Sequence, residues 1–310
     1  MEIDHKKIAV LMGGVSDERE ISLMSGRSVL AALNEEGLSA VGIDVVDDKG
    51  DALKMTLQEK EIDVVFIALH GRFGEDGGIQ RFLEKVSMPY SGSGVVASAV
   101  CFNKYAAKQL FSSAGICTPP CYLATERSYS REKIGNLGFP VVVKPRSEGS
   151  AIGVSVVREE KLLEKALEHA FKHDGCALVE KYIPGMEITV SVIGNDRARV
   201  LPIIKIAPKQ EFYNYLAKYE PGMSEHILPA PLLPDKKKQV EDIGISAYHT
   251  AGCRGFARID MIVAEDGVVY VLEINTIPGL TGTSLFPEAA RAEGMTLGRL
   301  CRELLEMTDR

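Results

Sequence analysis

No apolar run in this sequence exceeds about six residues, Val64 to Leu69, far short of the roughly 18 a helix needs to cross a bilayer. A membrane span is excluded. The charged stretch 1–7 leads directly into Ile8-Ala9-Val10-Leu11-Met12, a strand-length run rather than the apolar region of a signal peptide. The protein therefore reads as cytoplasmic. No Cys-x-x-Cys occurs among the six cysteines, which argues against a zinc knuckle or redox dithiol; most read as small buried apolar residues. Positive charge is in deficit, 36 Lys+Arg against 43 Asp+Glu for a net −7, without a long basic run. A nucleic-acid backbone is an unsuitable partner. There is also no Gly-Lys pair, so a Walker A loop is absent and any nucleotide must be held differently.

What is present is an ordinary globular composition over 310 residues, enough for two or three domains at roughly 100–200 residues each. Residues 8–12, 41–46 and 63–69 are short apolar runs without alternation, separated by helical patterns, which predicts a doubly wound parallel sheet covered on both faces. The first helix is expected to start in a capping box at Asp17-Glu18-Arg19-Glu20 and to stop at Gly37. Ligands of open α/β sheets bind beyond the carboxyl ends of the strands, where Gly13-Gly14-Val15-Ser16 lies. A second, α+β unit begins near Asn103. Strands are expected at 141–144, 154–157, 177–183, 187–194, 198–206, 255–263 and 268–275, with a long irregular stretch at about 207–233, a length that in compact chains is usually functional.

The sharpest local signal is the pair Arg258-Ile259-Asp260 and Glu273-Ile274-Asn275, joined through Asp266-Gly267. Asp-Gly between strand patterns predicts a two-residue hairpin turn. Asp260 then faces Glu273, Arg258 faces Asn275, and period-2 alternation puts all four on one face. Two opposed carboxylates repel, a penalty that a hard cation with oxygen ligands removes. Asp260, Glu273 and Asn275 are then candidates for a magnesium site, the alternative being a solvated polar face. Two donor-rich loops, 144–153 and 275–284, are suited to anions. Gly92-Ser93-Gly94 to Ala97 also fits a dinucleotide fingerprint, but it follows no clear buried strand and lies far from the first βα turn, where that fold places it.

In combination these segments resemble the D-alanine–D-alanine ligase family of ATP-grasp ligases. The matching runs are Gly13-Gly14 to Glu20, Ala68-Leu69-His70-Gly71 to Gly77, Pro89 to Gly94, Lys144-Pro145 to Ser150, Glu180-Lys181 to Glu187, Tyr213 to Tyr219, Arg258-Ile259-Asp260, and Glu273 to Gly279. They occur in one order over about residues 7–305. The resemblance implies an ATP-grasp fold, α/β with α+β in the ATP-binding part, carrying an N-terminal doubly wound parallel-sheet domain. The divisions expected are 1–102 for substrate, 103–186 for the small ATP-grasp domain, and 187–310 for the C-terminal domain with its lid loop at about 207–233.

The implied activity is ATP-dependent joining of two D-alanines for peptidoglycan precursors, through a D-alanyl phosphate. By resemblance, two Mg²⁺ (or Mn²⁺) sit on Asp260, Glu273 and Asn275; Lys104, Lys144 and Lys218 contact phosphates; and the loop about Ser150 closes over them. Glu180 and Lys181 sit at adenine, Ile183 joins the nucleotide-binding set, and Glu187 meets the ribose. Glu18 would receive the first D-alanine's ammonium and His70 would lie near its carboxylate. Arg258 and the Gly279 N–H would stabilise the oxyanion, Ser284 and Leu285 would stand beside the second substrate, and Tyr219 would bond Ser150, which meets Glu18. A homodimer is implied, with no nucleic-acid or membrane partner. The family pattern is departed from at Ala151, where many relatives have a second serine, and at Leu280, where methionine is common.

Overall fold

The computed structural model describes residues 2–208 and 224–308. Its first sheet is parallel, in the order β2 (Ser39–Val45), β1 (Lys7–Gly13), β3 (Val64–Ile67). The run of residues 8–12 is its buried central strand. Successive side chains go to opposite faces: Ile8, Val10, Val64 and Phe66 enter one core, Ala9, Leu11, Val65 and Ile67 another. That two-sided burial is why these strands lack alternation in sequence. The edge strand β2 departs from it, with Val41 exposed. Helix α1 (Arg19–Glu35) follows β1, but the expected capping box does not form: Glu18 makes no side-chain cap bond. Its carboxylate is turned away to Ser150, and the Ser16 hydroxyl accepts the Glu18 N–H instead.

Helices α2 (Asp51–Glu59), α3 (Gly78–Lys85) and α4 (Val95–Phe102) complete the first third. The Gly92–Gly94 turn before α4 cannot cradle a dinucleotide, because Arg254 donates to the Gly92 carbonyl and Gly255 packs against Gly92. Helix α5 (Lys104–Ser113) begins where expected, with the Asn103 side chain accepting the Ala106 N–H as its cap.

The second sheet is antiparallel, in the order β4 (Cys121–Thr125), β7 (Cys176–Lys181), β5 (Val141–Pro145), β6 (Ser155–Val157). Its outer face carries α6 (Arg131–Gly135) and α7 (Leu163–Phe171) over a core of its own, including Val141, Val143, Leu167 and Val179. Its inner face, with Val142, Lys144, Val156 and Glu180, opens into a cleft.

Across that cleft lies a third sheet, in the order β11 (Ser224–Ile227), β10 (Ile204–Pro208), β8 (Gly185–Ile193), β12 (Phe256–Ala264), β13 (Val269–Asn275), with β9 (Arg199–Val200) beside β8. The strand expected at 198–206 is split around Pro202, which has no N–H for a ladder. The ends of the expected irregular stretch are ordered strands, β10 pairing β11; residues 209–223, with Lys218 and Tyr219, lie outside the described residues. Helix α8 (Pro234–Thr250) packs behind it, while α9 (Leu285–Ala292) and α10 (Leu297–Glu306) pack on the side of the first sheet. Phe256 stacks on Phe66 with ring centroids 6.3 Å apart, and Phe286 tilts onto Phe256 at 5.6 Å. The first and third sheets thus share one apolar core, where each buried phenyl group contributes about 1.5–3 kcal/mol.

Cysteines are less buried than expected: Cys101, Cys253 and Cys301 are enclosed, Cys117 is exposed, and all six are free thiols.

Candidate active site

The β12–β13 ribbon places the acids. Ala257, Ile259 and Met261 point into the core behind the third sheet, so Arg258, Asp260 and Ile262 face the cleft. Asp260 lies opposite Glu273 and Arg258 opposite Asn275, as the sequence predicts, but by another route. The turn is three residues, not two: the Ala264 N–H donates to the Val268 carbonyl and Gly267 takes φ +85°. That would displace the register by one residue. A bulge between Asp260 and Met261, with Leu272 as the extra residue, restores it.

Two cavities meet at this ribbon, and Lys104, Glu148 and Glu273 line both. The larger, about 550 Å³, lies between the second and third sheets. Lys144, Glu180, Lys181 and Ile183 line one side; Glu187, Asp260 and Glu273 line the other. Buried Glu180 holds two ammonium groups, Lys144 Nζ and Lys108 Nζ, each 2.8 Å from a different carboxylate oxygen. Burial alone would raise the Glu180 pKa, but the two lysines outweigh it and hold it below the ordinary carboxylate value. Burial likewise opposes the charge on Lys144, yet Glu180 and Glu273 keep its pKa raised.

The smaller cavity lies at the carboxyl end of the first sheet and takes in Glu18, His70, Ser150, Arg258, Asn275, Gly279, Ser284 and Leu285. Glu18 is 7% exposed; one carboxylate oxygen accepts the Ser150 hydroxyl and the other, Oε2, is buried with no hydrogen-bond partner among the described residues. A Cβ on Gly149 would stand 2.3 Å from that oxygen, so any other residue there would require the Glu18 carboxylate to shift. His70 uses both ring nitrogens: Nδ1 donates to the Ile277 carbonyl at 3.1 Å, and Nε2 accepts from Ser25 Oγ at 2.8 Å. Ser25 in turn accepts the Leu280 N–H. Burial lowers the His70 pKa, which keeps the ring neutral. It borders the cavity as an anchor for the 276–280 loop. Ser284 Oγ accepts the Thr281 N–H at 3.1 Å and sits at the start of α9.

Arg258 grips Asp260 bidentately, Nε to Oδ1 at 2.9 Å and Nη2 to Oδ2 at 2.8 Å, and Thr189 donates to Oδ1 at 2.7 Å. Lys104 Nζ stands 3.5 Å from Glu273 Oε2 and donates to the Glu148 carbonyl, tying α5 to the ribbon and to the glycine-rich loop. Ser150 and Ala151 in that loop both adopt positive φ, 50° and 56°, a backbone state costly for residues with a Cβ. Asp260 and Glu273 face each other across the ribbon and, with the side-chain oxygen of Asn275, offer the oxygen donors that a hard divalent cation takes.

Every residue expected from the sequence, apart from Lys218 and Tyr219, lines one of these joined cavities. Sequence reasoning missed Lys108, Glu75 and Glu148. Lys108 was signalled by its spacing, one helical turn from Lys104 on the same face of α5. Glu75 is buried and accepts the Gly71 N–H at 2.6 Å. Burial, reinforced by the charge of Glu18, pushes its pKa up to about 8. Burial and the nearby Glu18 and Asp17 push Glu148 up to about 7. Both carboxyls bind protons more tightly folded than unfolded, so stability falls as pH rises from their unfolded values near 4.5 through their folded ones. We expect the melting temperature to decline between about pH 5 and pH 8 and Glu75→Gln to flatten much of that decline; calorimetric scans across this range check it, and an equally steep decline in the variant refutes it.

A cleft enclosed by two antiparallel sheets, with buried lysines on one wall and facing acids on the other, defines an ATP-grasp fold. Residues 110–306 match the family described as D-ala D-ala ligase C-terminus and residues 44–93 the D-ala D-ala ligase N-terminus. The chain is 44% identical to the D-alanine–D-alanine ligase of Pelotomaculum thermopropionicum, covering 97% of this chain and 96% of that one. It is 45% identical to that of Desulforudis audaxviator, covering 97% and 98%. The crystal structure of the Bacillus anthracis D-alanine–D-alanine ligase complexed with ATP superposes with a TM-score of 0.85 at 34% identity, covering 98% of this chain and 97% of that one. The chain belongs to the D-alanine–D-alanine ligase family.

Proposed function

We infer that this protein joins two D-alanines at the expense of ATP, giving ADP, phosphate and D-alanyl-D-alanine for peptidoglycan synthesis. The observation that carries this reading is the meeting of the two cavities at Lys104 and Glu273, which brings a nucleotide's phosphate end to the pocket holding Glu18. Glu180, Lys181 and Ile183 hold adenine, Glu187 the ribose, and Lys104, Lys144 and Lys218 the phosphates. Asp260, Glu273 and Asn275 would hold two Mg²⁺ or Mn²⁺ ions, whose chemistry is to offset triphosphate charge.

The bare Oε2 of Glu18 takes the first D-alanine's ammonium, a charge-assisted contact that aims its carboxylate toward the γ-phosphate. Attack there forms the acyl phosphate and releases ADP. The second D-alanine, its carboxylate at Ser284 and methyl at Leu285, attacks the acyl carbon through its amine. Arg258 and the Gly279 N–H stabilise the resulting oxyanion before phosphate leaves. Ser150, held by Glu18 and in turn by Tyr219, closes the loop against water, which would hydrolyse the acyl phosphate. We further propose the division 1–102, 103–186 and 187–310, a homodimer, and a cytoplasmic setting.

Purified protein supplied with ATP, Mg²⁺ and a panel of D-amino and D-hydroxy acids tests the reading. ADP release should require D-alanine and a divalent cation and yield the dipeptide; ADP release indifferent to D-alanine would refute it. Tyr219→Phe should admit D-lactate, since relatives that form esters replace this tyrosine. Competition between D-alanine and D-lactate reads it out, and no gain in ester product counts against it.

A further inference from the structure

Lys108 has no part in the scheme above, yet it is 1% exposed; burial lowers its pKa, and the Glu180 carboxylate beside it works the other way, favouring the ammonium form. It projects from α5, whose Ala107 and Phe111 pack into the core behind the third sheet. Its ammonium crosses to the second sheet, where it lies 2.8 Å from Glu180 Oε1 and donates to Thr118 Oγ1 at 2.6 Å. Lys144 Nζ takes the other oxygen of the same carboxylate.

A buried ion pair is a poor source of stability, because desolvation offsets the attraction; an apolar residue of similar volume often serves as well. Two lysines around one carboxylate point to another use. Without Lys108, Glu180 and Lys144 would form a neutral pair, and the phosphate end of the cleft would lose the surplus charge. With it, two ammonium groups against one carboxylate leave a net +1 beside the cleft.

We propose that Lys108 is a positioning residue for nucleotide: by pairing with one oxygen of Glu180 it leaves the charge of Lys144 available to phosphate. The inference rests on the reading that the larger cleft holds ATP.

Calorimetric titration of the full-length protein with ADP and, separately, with adenosine tests it. K108M should weaken ADP binding about tenfold or more, the scale of one lost contact to a charged group. Adenosine affinity and the KM for D-alanine should change less than about threefold, and K108R should restore ADP binding to within that margin. Removing the carboxylate together with the lysine, in K108M/E180Q, should recover ADP affinity relative to K108M, a coupling that independent sites would not display. This double variant also keeps the question open to test if K108M folds poorly. Equal loss of ADP and adenosine, no loss of either, or no recovery in the double variant overturns the proposal. K144M separates the two levels: if it binds ADP like wild type, the nucleotide reading itself fails, whereas weakened K144M beside unaffected K108M removes only the role of Lys108.

Discussion

Glu273→Gln should still bind D-alanine but lose ATP turnover by a factor of about a hundred or more, the usual consequence of deleting a group that stabilises developing charge. The side chain keeps its size, so the ribbon and its bulge should persist. What disappears is one of the two facing carboxylates and the charge partner of Lys104, 3.5 Å away. Asp260 is already gripped by Arg258 and Thr189 and cannot replace it. Glu273 lines both cavities, whereas Glu18 lines only the smaller, so binding of D-alanine and release of ADP are separable. Magnesium-dependent ADP release and D-alanine titration, measured side by side, decide the matter. Unchanged ADP release would remove Glu273 from the cation site.

Glu18→Gln should act in opposite directions on function and stability. Oε2 of Glu18 is buried without a partner among the described residues, and such an oxygen costs about 1–3 kcal/mol, more when charged. An amide relieves the charge while its remaining oxygen still accepts from Ser150. We therefore expect a higher melting temperature together with a rise in the KM for D-alanine of about a hundredfold, equivalent to about 2.7 kcal/mol. Steady-state kinetics at saturating ATP and a thermal scan give both numbers. A normal KM would mean that the ammonium is held elsewhere, and a lower melting temperature would mean that the bare oxygen carries no strain. Stability sacrificed at a binding site is a common trade in enzymes.

How much of this was legible depends on the kind of signal. The parallel strands were, because burial on both faces leaves an uninterrupted apolar run, as in Val64 to Ile67. The facing of Asp260 and Glu273 was also legible, but through two cancelling irregularities. A turn one residue longer than Asp-Gly suggests is compensated by a bulge at Leu272, and neither is visible in alternation alone. The capping box failed because the helix caps at Glu18, one residue beyond Asp17, and the Glu18 carboxylate meets Ser150, 132 residues away in sequence, a contact that no local pattern encodes. Lys108 and Glu75 escaped notice for a related reason. A charged residue in sequence reads as solvated, and only the fold reveals that both are enclosed. The motif residues themselves came together around two joined cavities because their order along the chain matches the order of the elements carrying them.

The second sheet keeps its apolar side chains in a private core, while the first and third are fused through Phe66, Phe256 and Phe286. If the enzyme parts to admit nucleotide, the cheapest seam runs along the inner face of that small sheet. Swinging it outward exposes none of the shared phenyl groups; it parts the buried Lys108–Glu180 pair and two polar clasps, Ser150 to Glu18 and the Glu148 carbonyl to Lys104. The same two clasps border the pocket for the first D-alanine, so arrival of that amino acid and shutting of the jaw draw on the same carboxylate.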